Sequence, residues 1–400
     1  MILHGVRILS FTTGIAGPNA GRILATLGAE VIKVESRAGG IDAFRYFGTG
    51  DDLNTSARFA EANLGVRSIT ANLKHPEGRD LVRRLAIRSD VVLENYRPDV
   101  LDRLGLGYDA LVGDRPDIIV VKMPGLGSTG PLAGYGTWGA LLNAYSGLTA
   151  LWNHPDQDVP VGNQGVFPDY LSSVLAPMVV VSALLHRDAT GTGTKIDLAQ
   201  SEATAFCALP VSFAELGING VDPSPVGNRT RDDSLQGVYP CAGNDRWCAI
   251  RVEGDAAWSA LLGVLGDAEL ASDPANATVG SRRSNQDAID AAISAWTVTR
   301  DPHEVMRMLQ AAGVAAGVVA TGDDLLRDPQ LARPGFIRRF EQPGIGEMIV
   351  PGLPLSITPP LMDEPPPARM LGEDTAAVLR EVLELSDAEI DRLTVDGVLA

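Results

Sequence analysis

The chain has 400 residues, 45% of them apolar and 21% charged, and carries a formal net charge of −17. That length exceeds the usual size of one hydrophobic core, so two domains are expected. The acidic balance excludes nucleic acid and anionic membrane surfaces as natural partners, although a local basic cluster could still hold a polyanionic ligand.

Three cysteines, Cys207, Cys241 and Cys248, form neither a disulfide framework nor a zinc pattern, and a cytoplasmic location is expected. The N-terminus MILHGVRILSFTTG has no basic leader, so no signal peptide is expected. The longest apolar run, 174–185, is of core-helix length and contains Pro177.

In chain order, VRILSF (6–11), a TTGIAGP turn, a helix GRILATLGA and EVIKVE (30–35) read as one βαβ unit. SITANL (68–73), a helix over 76–88, VVLEN (91–95) and IIVVKM (118–123) continue the alternation. Short β-branched strands alternating with helices predict a parallel sheet covered on both faces. Helices are expected at 138–147, 170–187 and 201–216, with a strand at TKIDLAQ (194–200).

Residues 217–235 are rich in turn formers and read as a linker. GVYPCAGNDRWCAIRV (237–252) reads as a hairpin turning at Gly243–Asn244, followed by helices at 255–265 and 301–312. The fold class is therefore α/β: a large Rossmann-like domain starting with 1–216, a small α+β domain over 226–325, and a return through 326–400. Within that return, the Pro-rich 350–368 is expected to run extended over the surface, and SDAE (386–389) reads as a capping box after a helix at 374–385.

Glu35, about twenty residues after the glycine turn, invites a dinucleotide reading, but the turn is G14-I-A-G17 and lacks the second glycine of G-x-G-x-x-G. A plain glycine turn is the better reading. Arg37, Lys74, Arg97 and Arg103 each follow a strand, where open α/β sheets bind ligands, and a multiply phosphorylated molecule such as coenzyme A fits that set. Asp169, between Pro168 and the apolar run, falls at a helix start. Local pattern favours a cap, yet the same placement suits a carboxylate kept ionised by the helix dipole, a nucleophile toward a thioester, and local pattern does not choose between them. None of the five histidines has metal spacing, and no G-x-S-x-G is present.

Together, AGPNAGRILATLGAEVIKVE (16–35), SITANLKHPEGRDLVRRLA (68–86), DVVLENYRPDVLDRLGLGYDAL (90–111), GSTGP (127–131), HRDATGTGTKIDLAQSEA (186–203), GVYPCAGNDRW (237–247) and AAGVAAGVV (311–319) resemble the class III CoA-transferases. That family holds formyl-CoA and carnitine-CoA transferases and α-methylacyl-CoA racemase. The resemblance implies an interlocked homodimer, no permanently bound cofactor, and acyl-CoA and a small carboxylic acid as substrates. It places the nucleophilic aspartate at Asp169, within VGNQGVFPDYLSS, and CoA contacts at Arg37, Lys74, Asn95, Tyr96 and Arg103, with Arg97 adjacent.

The racemase histidine position is occupied by Trp138, which disfavours racemisation with Asp169 as base; a non-catalytic CoA-binding protein is the other alternative. Ser172 and Ser173 stand where the family often has a small residue and glycine, which predicts a narrower or more polar pocket. NRTRDDSLQG replaces the glycine-rich loop of formyl-CoA transferases, which argues against formate and oxalate as the substrate pair.

Overall fold

The computed structural model describes residues 2–160, 162, 165–332, 336–355, 357–358 and 365–399. The chain divides into two compact units, one of residues 1–149, 162–222 and 333–400, the other of 150–161 and 223–332.

The first unit is built on a six-stranded sheet of β1 (Arg7–Phe11), β2 (Glu30–Glu35), β3 (Arg67–Thr70), β4 (Val91–Glu94), β5 (Ile119–Lys122) and β6 (Thr194–Asp197). Its order is β3-β2-β1-β4-β5-β6 and every pairing is parallel. Side chains alternate across a strand, so each strand feeds two cores. Leu9, Phe11, Ile32, Val34, Val92 and Val120 face one core, completed by α3 (Pro76–Ile87), α11 (Thr375–Leu383) and α12 (Asp387–Val395). Ile8, Val31, Val91, Leu93, Ile119 and Val121 face the other, completed by α1 (Ala16–Thr26) and α5 (Phe167–Thr190).

By length and composition α5 could cross a bilayer, yet Ala176, Val180, Ala183 and Leu184 on it pack into the sheet core. Strand order reverses between β1 and β4, and the loops after these two strands open the crevice where such sheets take ligands.

Between β2 and β3 lies α2 (Ala57–Ala62); between β5 and α5 lies α4 (Gly139–Tyr145). The helix expected at 201–216 is instead two, α6 (Gln200–Ala208) and α7 (Pro210–Asn219). Pro210 removes the backbone donor that a continuous helix would need and restricts Leu209 before it. Ser386 and Glu389 do form a capping box, and it starts α12, a helix beyond the one expected at 374–385.

Sequence pattern missed the hairpin of β10 (Ile337–Gln342) and β11 (Gly346–Pro351), whose strands carry charges and a proline. Met348 and Val350 of that hairpin pack on Ala60 and Leu64. Much of the Pro-rich 350–368 lies outside the described residues.

In the second unit, β7 (Leu235–Pro240), β8 (Trp247–Val252) and β9 (Ala315–Val318) form an antiparallel sheet. The β7–β8 turn places Gly243 at φ +113° and Asp245 at φ +52°. Helices α8 (Gly254–Leu265), α9 (Gln286–Thr297) and α10 (Pro302–Ala311) supply Trp258, Leu261, Ile289, Ile293, Val305 and Leu309 to its core. All three cysteines are free thiols, and burial pushes the Cys248 thiol up to about 11.

Candidate active site

The loop after β1 is fixed by polar contacts on both sides. Asn95 accepts a hydrogen bond from the Thr13 amide at 2.8 Å and donates to the Thr13 carbonyl at 2.9 Å. Asp42 accepts from the Gly14 amide at 3.0 Å, and the Lys33 ammonium donates to Asp42 at 2.7 Å and to the Thr12 carbonyl at 2.7 Å. Gly14 sits at φ +73°, a left-handed conformation, and a Cβ on Gly17 would fall 2.4 Å from the Thr12 methyl. The two glycines of the turn therefore serve its shape and close packing.

The dinucleotide reading of Glu35 fails on its partner. Glu35 is buried and paired with Arg45 through the Nε/Nη2 edge of the guanidinium, at 2.8 Å from Nε and 2.8 Å from Nη2. No oxygen of it is left for a ribose.

Above this crevice the first unit forms a half-open cavity of about 1150 Å³. Thr13–Ile15 after β1, Asn95–Pro98 after β4, and Pro124 and Gly125 after β5 form its floor. Phe44, Phe47, Arg58, Trp138, Tyr170 and the β11 residues Met348–Pro351 form its sides. The hairpin is held there by Arg22, which donates to the Pro351 carbonyl and pairs with Glu61.

Asp169 lines this cavity. Val166 precedes α5 without a side-chain cap, and Asp169 follows Pro168 in the first turn. Its carboxylate lies against Gly139 at the start of α4: a Cβ there would fall 2.0 Å from Asp169 Oδ2. Burial pushes the Asp169 carboxyl up to about 6, and its own backbone N–H only partly opposes this. Loss of solvation thus outweighs the backbone N–H that favours the anion. At neutral pH the group is still mainly ionised and is poorly solvated, the state in which a carboxylate attacks best.

Of the anion-binding set, Asn95, Tyr96 and Arg97 line the cavity with Asp169, whereas Arg37, Lys74 and Arg103 do not. Those three are exposed, and Lys74 Nζ lies 3.4 Å from where a Gly39 Cβ would stand, over the loop carrying Arg37. Among the described residues, none of Arg37, Lys74, Arg97 and Arg103 is ion-paired with a carboxylate. Arg97 packs its guanidinium on Gly136, whose Cβ would fall 2.6 Å from Nη2. Tyr96 is half-buried, and burial together with the charges of Asp42, Glu35 and Glu94 holds its hydroxyl above the ordinary tyrosine range.

Ser172 and Ser173 are buried and neither lines the cavity, so the pocket is not made more polar by them. Ser173 donates to the Tyr170 carbonyl and accepts from the Asn19 amide, at 2.7 and 2.8 Å. Trp138 does line the cavity, as the residue capping α4, and among the described residues no histidine lines it. Val161, Asn163 and Gln164 of the VGNQGVFPDYLSS stretch lie outside the described residues.

Residues 3–375 match the family model described as CoA-transferase family III. The chain belongs to that family. As a family III CoA-transferase it is 33% identical to a probable CoA-transferase of Mycobacterium tuberculosis, over 99% of this chain but 50% of that protein, so the chain spans half the length of that relative. It is 31% identical to the succinyl-CoA–D-citramalate CoA-transferase of Chloroflexus aurantiacus, over 99% and 98% of the two chains. Among solved structures, a CaiB/BaiF family protein from Brucella suis aligns with a TM-score of 0.86 at 30% identity, covering 95% and 99%. The fold of this CoA-transferase, a parallel α/β sheet with a small antiparallel sheet, is thus shared with solved relatives.

Phe44, Phe47, Arg58, Gly139 and the β11 edge are site components that the sequence reading lacked. The pairing of Gly139 with Asp169 joins positions thirty residues apart, and no local pattern carries it.

Proposed function

We propose that this CoA-transferase moves CoA from an acyl-CoA thioester to a carboxylic acid through covalent intermediates on Asp169. The observation that carries the reading is a half-buried carboxylate, raised to about 6, in a large cavity at the sheet's switch point.

The Asp169 carboxylate attacks the thioester carbonyl, the C–S bond breaks, and CoA leaves as thiolate with an aspartyl–acyl anhydride formed. The thiolate then attacks the Asp169 carbonyl carbon, releasing the donor carboxylate and leaving an aspartyl–CoA thioester. The acceptor carboxylate attacks that thioester and expels the thiolate. Attack of the thiolate on the acceptor's acyl carbon then gives the new acyl-CoA and restores Asp169. No net proton is consumed. Each intermediate keeps the activation that water would destroy, so a cavity able to exclude water suits the chemistry.

Asn95, Tyr96 and Arg97 bind CoA beside the reacting carbonyl, and Arg37, Lys74 and Arg103 hold its phosphates from the strand ends. Relatives named for succinyl-CoA with glutarate, and for succinyl-CoA with L-malate, support short dicarboxylates as the substrate class. A second copy of the chain is the proposed partner: α7 has no buried residue, yet presents Val211, Phe213, Leu216 and Ile218 to solvent.

The test is mass spectrometry of enzyme incubated with succinyl-CoA or neutral acyl-CoA thioesters and trapped with hydroxylamine or borohydride. A donor-dependent change on the Asp169 peptide is expected. An unmodified Asp169, with deuterium entering the thioester's α-carbon in D₂O, would replace this reading with a racemase.

A further inference from the structure

Among the described residues, the cavity is lined by four charged side chains: Arg58, Glu61, Arg97 and Asp169. Three are accounted for. Glu61 is paired with Arg22, Arg97 from the loop after β4 lies on Gly136, and Asp169 is the reaction centre.

Arg58 is left over. It has no carboxylate partner among the described residues. Its guanidinium stands 5.0 Å from the centroid of Phe47, a ring itself set edge-on to Phe44 with centroids 5.5 Å apart. It belongs to α2 and not to the strand-end loops that carry the CoA set. Its charge is felt at the hydroxyl of Tyr170, the neighbour of Asp169 in the chain. At Asp169 itself burial dominates and no cation contributes.

We infer that Arg58 receives the distal carboxylate of a dicarboxylate substrate while the proximal carboxyl reacts at Asp169. The inference rests on the reading of Asp169 as the reaction centre. A planar guanidinium over an aromatic ring presents its edge to a carboxylate in the two-pronged geometry that favours arginine at such sites. A monocarboxylate of equal length would bring only a methyl group to that cation, which would lose water on substrate binding and gain nothing. Selection therefore comes as much from rejecting the neutral chain as from attracting the acid. Keeping this cation away from Asp169 is part of the arrangement: paired with the nucleophile, it would lower the carboxylate's reactivity.

The experiment compares wild type, Arg58→Gln and Arg58→Lys with succinyl-CoA as donor and glutarate or pentanoate as acceptor. Glutarate should be preferred by the wild type, and the glutarate-to-pentanoate ratio of kcat/KM should fall about 10- to 100-fold in Arg58→Gln, the value of one charged hydrogen-bonded contact. Arg58→Lys should restore part of it. An unchanged ratio would overturn the inference, as would an equal loss with both acids, which marks Arg58 as a phosphate holder or a structural residue. A wild type that transfers CoA, labels Asp169 and prefers pentanoate would overturn it while leaving the Asp169 chemistry intact. Calorimetric titration of glutarate and of pentanoate into wild type and Arg58→Gln makes the same comparison without turnover. Arg58 is thereby tested even if Asp169 proves not to be the nucleophile.

Discussion

Gly139 and Asp169 share one space: the carboxylate of Asp169 occupies the position that a Cβ on Gly139 would take, 2.0 Å from Oδ2. Gly139 is not in the left-handed region, so its backbone accepts alanine, but the added Cβ would also meet Val166 Cβ and Cγ1 at 2.6 Å, so the start of α5 has to shift with the carboxylate. Gly139→Ala should therefore displace the nucleophile and, through Val166, cost some stability as well. A misplacement of about 1 Å costs on the order of 100-fold in rate. The check is kcat beside the thermal midpoint: a large loss in the first at a temperature where the variant, its midpoint lowered, is still folded. Full activity in Gly139→Ala would mean that the carboxylate reacts from another rotamer.

Burial at Asp169 ties activity and stability to the same titration. With its carboxyl at about 6, the nucleophile is lost as pH falls, and kcat should drop tenfold per unit below about pH 6. Because the folded-state value lies above the ordinary 3.8, the folded protein binds this proton more tightly than the unfolded chain. Ionised Asp169 thus destabilises the fold fully above about pH 6 and not at all below about pH 4. Asp169→Asn should abolish transfer and raise stability at pH 8 by about 1–2 kcal/mol, a gain that vanishes at pH 4. Denaturant melts at the two pH values test this directly. An equal effect at both would assign the change to packing.

Strands and strand-end loops were legible because their signals are local. β-branched runs, glycine turns and a proline before an acid each act over a few residues, and β1–β6 and the start of α5 follow them. The anion-binding set was legible only as a position, the end of a strand. Such a rule cannot tell Arg97, which lines the cavity, from Arg37, Lys74 and Arg103, which do not. What stayed hidden needs distant segments: β11 reaches the cavity because Arg22 on α1 holds Pro351, a contact spanning 329 positions. The same limit hides the raised carboxyl of Asp169, since helix position is written in sequence and loss of solvent is not.

The Glu35–Arg45 pair is a structural post for the loop after β2, and it predicts a non-additive stability pattern. Both side chains are almost wholly buried, and the Arg45 guanidinium also lies 3.6 Å from the Phe59 ring centroid. Removing one partner strands the other charge in the interior, at a cost of about 3–5 kcal/mol. Arg45→Met alone should therefore destabilise by that amount, and Glu35→Leu with Arg45→Met by clearly less. Urea melts of the two variants decide it. A double variant worse than the single would show that the pair's hydrogen bonds to the loop, from Arg45 to the Leu53 carbonyl and from the Asp42 amide to Glu35, matter more than its charges.

The apolar face of α7 carries the last prediction. Phe213 is 60% and Ile218 82% exposed, on a helix with no buried residue. A fully buried Phe or Ile side chain contributes about 1.5–3 kcal/mol over an exposed one, so leaving both in water is a sizeable unclaimed gain. On α5 the exposed Val174, Met178 and Leu185 extend the same kind of surface. Large apolar side chains left exposed together on one helix mark an association surface. With a strongly acidic chain, apolar burial has to supply the attraction that charge opposes. Light scattering should give twice the chain mass for the wild type. Phe213→Glu with Ile218→Glu should shift it toward one chain mass and lower the thermal midpoint. A wild type that runs as a single chain at micromolar concentration would remove the homodimer and leave these helices to some other covering.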